Sequence, residues 1–127
     1  MIYLLLGEAM SGKTTFLKNL NCTFVDSSIG LRNVLLNGDT NIAIDDYCGI
    51  DYALNSMLKY LYDCLNGKSN IEYFMKIDKS KLPKDFNIFI ATKPMHLKNI
   101  SRGIIARCKV IYFKQEDFDV LRMSKNG

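Results

Sequence analysis

Eight consecutive residues, Gly7-Glu8-Ala9-Met10-Ser11-Gly12-Lys13-Thr14, constrain the fold of this chain more than any other feature. They follow the pattern G-x-x-x-x-G-K-[ST], in which small residues let successive backbone N–H groups curl around phosphate oxygens where a helix begins. Such a loop needs a strand to deliver it and a helix to leave it. Ile2-Tyr3-Leu4-Leu5-Leu6 is a continuous apolar run ending in glycine, which suits a central strand buried on both faces. Beyond the loop, Thr14 to Leu20 places Phe16, Leu17 and Leu20 on one helical face, with Asn21 as a stop. Strand, loop and helix in that order separate a phosphate cradle from a chance glycine-rich turn.

The same alternation continues along the chain. A short strand is expected around Thr23-Phe24-Val25, and Asp26-Ser27-Ser28 offers helix N-caps before Ile29, Leu31, Val34 and Leu35, with Gly38 as the end. Asn41-Ile42-Ala43-Ile44-Asp45-Asp46 reads as a second buried strand that finishes in two carboxylates. A long helix from about Asp51 to Leu65 carries Leu54, Met57, Leu58, Leu61 and Leu65 at helical spacing, closed by Asn66-Gly67. Ile71 to Ile77 has strand character, and Asp78 to Asp85 is a polar connection containing Pro83, so this region is expected to project as a hairpin. Ile88 to Ala91 is a third buried strand ending at Thr92-Lys93-Pro94, Ile100 to Ala106 is helical, and Val110 to Phe113 is a fourth apolar strand. Strand–helix alternation of this kind predicts an α/β fold: a three-layer αβα sandwich around a mainly parallel sheet, in one domain over residues 1–127.

Composition removes several classes of function. No apolar run is long enough to span a membrane or to serve as a signal-peptide core, so a soluble cytoplasmic protein without membrane contact is expected. Cys22, Cys48, Cys64 and Cys108 form no C-x-x-C pair, and His96, the single histidine, has no cysteine at zinc-site spacing; the cysteines read as reduced and structural. A net charge of +4 favours a polyanionic partner.

The chemistry-bearing residues are few. In a loop of this pattern Lys13 reaches the β and γ phosphates, and the Thr14 hydroxyl is a ligand for Mg²⁺, which keeps several waters and takes few protein ligands. Glu8, Ala9, Met10, Ser11 and Thr15 complete the nucleotide-binding stretch around Gly7 and Gly12. Asp45 stands where a strand reaches the ligand-binding edge of an open sheet, and fits a Walker B aspartate holding the Mg²⁺ shell. Asp46 follows where many such ATPases place the glutamate that orients the attacking water; aspartate is one methylene shorter, so slow turnover is expected. The other reading of the pair is a helix cap or turn.

The phosphate loop, the Ile42-to-Asp46 strand, the Ile88-to-Thr92 strand and the Arg107 segment come in the order found in AAA+ ATPases, and together cover most of the chain. The pattern resembles two branches in particular, clamp-loader ATPases and superfamily-three viral replication helicases. The resemblance implies ATP and Mg²⁺ as cofactors and a role in DNA replication. Ile105-Ala106-Arg107-Cys108 is similar to the clamp-loader Ser-Arg-Cys segment, with alanine for serine, which makes Arg107 an arginine finger acting on a neighbouring subunit and implies a homo-oligomer or larger replication complex; Arg102 is the second candidate. Thr92 falls at the sensor-one position, and Lys93 stands near where a superfamily-three helicase would carry asparagine.

Lys76, Lys79, Lys81 and Lys84 lie where such helicases carry a DNA-contacting hairpin, and Tyr73 and Phe74 are candidates for base stacking or for the core. Only fourteen residues follow Phe113, enough for one short helix over Gln115 to Met123, so the AAA+ helical lid is expected to be missing. Three alternatives stay open: a nucleotide-dependent switch or loader with little turnover, a filamentous-phage packaging or secretion ATPase, and a nucleoside or nucleotide kinase, whose loop in thymidine kinases resembles Ala9 to Thr15.

Overall fold

The computed structural model describes residues 1–67 and 79–113. The expected strand over Ile71 to Ile77, with Tyr73, Phe74 and Lys76, and the expected helix over Gln115 to Met123 lie outside them. In chain order the elements are β1 (Ile2–Leu6), α1 (Lys13–Asn19), β2 (Thr23–Phe24), α2 (Ser28–Leu36), β3 (Asn41–Ile44), α3 (Tyr52–Leu65), β4 (Asn87–Thr92), α4 (Arg102–Arg107) and β5 (Lys109–Tyr112). Short 3₁₀ turns occupy Lys79–Lys81 and Pro94–Asn99.

The five strands form one sheet in the order β2-β3-β4-β1-β5, and every pairing is parallel. β4 is the middle strand and β1 lies between it and the edge strand β5: Ile2 pairs with Ile88 and Leu6 with Thr92 on one side, and Leu4 pairs with Val110 on the other. Because side chains alternate across a strand, the sheet separates its apolar residues into two sets. Ile2, Leu4, Ile42, Ile44, Ile88 and Ile90 join Leu31, Leu35, Leu54, Leu58, Leu61 and Ile104 from α2, α3 and α4. Leu5, Ala43, Phe89 and Ala91 instead meet Leu17 of α1. On that side Tyr3 stacks on Phe89 at 4.8 Å, and Phe16 meets Phe89 and Phe113 edge-on.

This division of helices follows from the strand order. The chain moves one way across the sheet from β1 to β2, then back through β3 and β4 to β5, and right-handed crossovers put helices of opposite travel on opposite faces. Neighbouring strands β1 and β4 therefore send their following helices to opposite faces. A crevice opens between them at the carboxyl edge of the sheet.

Local chemistry sets the boundaries. Ser27 caps α2 by accepting the Gly30 N–H at 3.0 Å, and Asp51 caps α3 by accepting from Leu54 at 3.0 Å. β3 stops at Ile44, two residues short of the sequence expectation, because Asp46 turns left-handed at φ 51°. α4 begins at Arg102 instead of Ile100, since the extended backbone at Ile100 and Ser101 separates it from the preceding 3₁₀ turn while Ile100 plugs the core. Leu20 and Ile29 are exposed, against the sequence pattern: Leu20 is the residue at which α1 ends, and Ile29 lies on the far side of α2 from Leu31 and Leu35. Among the described residues no helix is long and apolar enough to cross a membrane.

Candidate functional site

The loop between β1 and α1 is held from both sides. The Gly7 N–H donates to the Thr92 carbonyl at 3.3 Å, tying the loop to β4, while a Cβ at Gly7 would meet the Phe113 carbonyl oxygen and approach the Phe113 Cβ to 2.9 Å. Only glycine fits there. Met10 and Gly12 adopt φ of 61° and 98°, and these left-handed residues reverse the chain into α1. Gly12 is the N-cap, so no side chain takes the first amides of the helix. Lys13 is buried, and its ammonium donates to the carbonyl of Gly7, to that of Glu8 at 2.8 Å and to Ser11 Oγ at 3.2 Å. Burial holds the Lys13 amine below its ordinary value of 10.5, and the charge of Lys93 lowers it further, against the opposing pull of Asp45, Glu8 and Asp46.

The second half of the site comes from the end of β3. Thr14 Oγ1 donates to the Asp45 carboxylate, 3.0 Å from Oδ2 and 3.3 Å from Oδ1, joining residues 31 positions apart in sequence. The Asp46 N–H donates to Asp45 Oδ1 at 3.0 Å, which fixes the carboxylate from its own side. Asp46 itself is exposed and faces the cleft. The turn after it is stitched down: Tyr47 N–H donates to the Ala91 carbonyl at 2.8 Å, Thr92 Oγ1 donates to the Tyr47 carbonyl at 2.6 Å, and the Tyr47 hydroxyl donates to Asn55 Oδ1. Burial, then the charge of Asp51, raises the Tyr47 phenol, keeping it a donor. Thr92 is buried, and its hydroxyl serves this turn instead of opening on the cleft.

The resulting cleft has a volume of about 470 Å³ and is lined by residues 9–15 of the loop, by Asp45 and Asp46, and by Lys93. It occupies the crevice between β1 and β4 at the carboxyl edge. Lys93 is the lining residue that sequence pattern did not mark as part of the site; it directly follows β4, and the pairing of β4 with β1, which the sequence does not display, brings it to the cleft. The structure thus brings together Lys13, Thr14, Asp45 and Asp46, sets Thr92 just beneath them, and adds Lys93.

Arg107 is elsewhere. It precedes β5, at the amino edge of the parallel sheet, where its guanidinium donates to the Gly103 carbonyl at 2.9 Å, lies 3.7 Å from Asp63 and covers the Tyr62 ring at 5.6 Å. Arg102 is exposed at the start of α4. The basic segment also leads into the amino edge: Lys81 and Lys84 lie in it, Lys79 begins the 3₁₀ turn, and Leu82 and Phe86 anchor the segment in the core just before β4. No protein-family model, no curated protein and no solved structure matches the chain.

Proposed function

We propose that this chain is a Mg²⁺-dependent P-loop NTPase of minimal AAA+ type, an αβα sandwich that binds ATP in the cleft between β1 and β4 and hydrolyses it slowly. The observation that carries this reading is the Thr14 hydroxyl bonded to the Asp45 carboxylate beside Lys13, since a glycine-rich turn arising by chance has no reason to meet a strand-end carboxylate 31 residues on. Backbone N–H groups of the loop hold the phosphates, and Lys13 exchanges its bonds to the Gly7 and Glu8 carbonyls for phosphate oxygens.

Thr14 and Asp45 offer a hard-oxygen donor pair of the kind Mg²⁺ takes. When bound, the ion would neutralise charge on the terminal phosphates. Asp46, exposed at the mouth, accepts the proton of the attacking water. Lys81 and Lys84 give the opposite edge a polyanion-binding character that fits DNA as the partner in replication, read without sequence.

Replacing Lys13 with Ala tests the assignment: phosphate release from Mg²⁺·ATP should fall to background and nucleotide affinity should drop about 100-fold, the worth of a charge-assisted hydrogen bond in a buried site. A variant with wild-type turnover would sink it. The kinase reading draws on one further observation, a cleft of about 310 Å³ lined by Phe24, Val25, Asp26 and Asp45, which shares Asp45 with the phosphate cleft and has room for an acceptor. Incubation with nucleosides and ATP, read by chromatography, distinguishes transfer to an acceptor from transfer to water.

A further inference from the structure

We infer that Tyr47 and Asn55 are positioning residues for Asp46: they hold it left-handed with its carboxylate at the mouth of the cleft, so that turnover depends on them while nucleotide binding does not. The inference rests on the hydrolytic reading above, in which Asp46 takes the proton of the attacking water, and adds to it the side chains that aim that carboxylate.

Three observations carry it. The first is a conformation that does not maintain itself. Asp46 has φ 51°, a region that costs a residue other than glycine about 1 kcal/mol and persists only where its surroundings enforce it. A relaxed backbone would swing the carboxylate away from the cleft. The second is a clamp on both sides of that residue. The Asp46 N–H donates to Asp45 Oδ1 at 3.0 Å, and the Tyr47 N–H donates to the Ala91 carbonyl at 2.8 Å. These bonds orient the two peptide planes that meet at Asp46, and with both planes fixed its Cα–Cβ direction is fixed as well. Tyr47 keeps the second plane in place: its carbonyl accepts from the Thr92 hydroxyl at 2.6 Å, its ring is buried, and its phenol donates to Asn55 Oδ1 on α3. Asn55 Nδ2 in turn donates to the Gly49 carbonyl at 2.9 Å, closing residues 47–49 onto the helix. The third is separation from the ligand. The phosphate cleft is lined by residues 9–15, Asp45, Asp46 and Lys93, and neither Tyr47 nor Asn55 is among them. Their bonds are internal to the turn between β3 and α3, whereas those of Lys13 and Thr14 open on the space that phosphates take.

The test separates turnover from binding. Phosphate release from Mg²⁺·ATP is followed under single-turnover conditions, and affinity is titrated with the Mg²⁺ complex of a non-hydrolysable β,γ-imido ATP analogue. The chains compared are the wild type, Tyr47→Phe, Asn55→Ala, Asp46→Ala, Tyr47→Phe combined with Asp46→Ala, and Leu65→Ala. Tyr47→Phe keeps the ring that fills the core, and Leu65→Ala removes packing at the far end of the same helix, which makes it the control for general softening. Loss of the proton acceptor in Asp46→Ala should slow hydrolysis about 100-fold or more. Tyr47→Phe and Asn55→Ala should each slow it about 10-fold, the effect of a carboxylate that is present but misdirected, with analogue affinity within about twofold of wild type. In the Asp46→Ala background Tyr47→Phe should cost nothing more, because the group it aims is gone. Leu65→Ala should lower the urea midpoint and leave hydrolysis unchanged.

Wild-type hydrolysis in Tyr47→Phe and Asn55→Ala overturns the inference and leaves the hydrolytic reading standing. A further loss on adding Tyr47→Phe to Asp46→Ala overturns it too, since the pair then acts on something other than that carboxylate. Slowing in Leu65→Ala equal to that in Tyr47→Phe, or analogue affinity that falls in step with turnover, overturns it in favour of a general effect on the fold or the cleft. Full turnover in Asp46→Ala, or none in the wild-type chain, overturns the hydrolytic reading and the inference with it.

Discussion

The two edges of the sheet each carry a depression of similar size, about 470 Å³ at the carboxyl edge and about 430 Å³ at the amino edge, yet their chemistry differs. In the depression at the amino edge two of the cations already have protein partners. Arg107 is bound to Gly103 and lies near Asp63, and the N-terminal ammonium donates to the Phe86 carbonyl at 2.7 Å with the charge of Asp85 nearby. At the carboxyl edge two lysines and two aspartates converge on shared space, and the bonds that Lys13 and Thr14 make there are ones that a polyanion and a hard cation can take over. Volume does not mark a site here. The difference lies in which charges share the space: two lysines face two aspartates where the loops leaving β1 and β4 diverge, whereas at the other edge a guanidinium and an ammonium are tied to backbone carbonyls.

The largest effect that would break this contrast is expected at the Thr14–Asp45 pair. Asp45→Asn and Thr14→Val each leave the fold in place, because both side chains sit at the mouth of the cleft, but should raise the Mg²⁺ needed for half-maximal turnover about 10- to 100-fold. Phosphate release across a Mg²⁺ titration reads this directly. Unchanged Mg²⁺ dependence in both variants would reduce the pair to a structural link between loop and strand.

Much of this was legible from local pattern. β1, the phosphate loop and α3 announced themselves because their signals are dense: an unbroken apolar run, glycines at the close approach of residue 7 and the left-handed turn of residue 12, and five apolar residues at helical spacing behind an Asp cap. Asp45 was legible from its position at the end of a buried strand. What local pattern could not supply was the set of neighbours. Thr92 and Lys93 are adjacent in sequence and differ only in which way the chain has turned by each; the first commits its hydroxyl to Tyr47 and the second reaches the cleft. Arg107 was read through its segment, and no periodicity can tell that Asp63 and Tyr62, more than forty residues earlier, stand beside it. Exposure at Ile29 had the same origin, since apolar character says nothing of which helix face meets the sheet.

A smaller effect separates two glycines of one loop. Gly7→Ala forces a methyl against the Phe113 backbone, and should cost about 1–3 kcal/mol in urea unfolding while also loosening nucleotide binding. Gly12→Ala meets nothing within 4 Å and is strained only by its φ of 98°, roughly 1–2 kcal/mol. A reversed order would mean that strain, not close packing, shapes the loop. Lys13 sharpens the picture through pH. Its folded-state value is lowered, so in the alkaline range between that value and 10.5 the unfolded chain holds more protons and stability rises with pH. A bound phosphate pulls the value back up, so nucleotide binding in the same range should take up protons, measurable by calorimetry in buffers of different ionisation enthalpy, and should not do so in Lys13→Ala.

The smallest effect belongs to the amino edge, and its smallness is informative. Arg107 and Asp63 are 3.7 Å apart with side chains about a third exposed, so screening leaves their attraction worth no more than about 1 kcal/mol, and the Tyr62 contact adds about 0.5 kcal/mol. Arg107→Ala should therefore lower the urea midpoint slightly, by an amount that shrinks as salt rises, and should leave nucleotide affinity of the isolated chain untouched. Asp63→Ala distinguishes the two structural contributions, because it removes the ion pair and keeps the guanidinium over Tyr62. If Arg107→Ala abolished turnover while Asp63→Ala raised it, the contacts at this edge would be a latch holding a finger in reserve, and the division between a working edge and a packing edge would have to be abandoned.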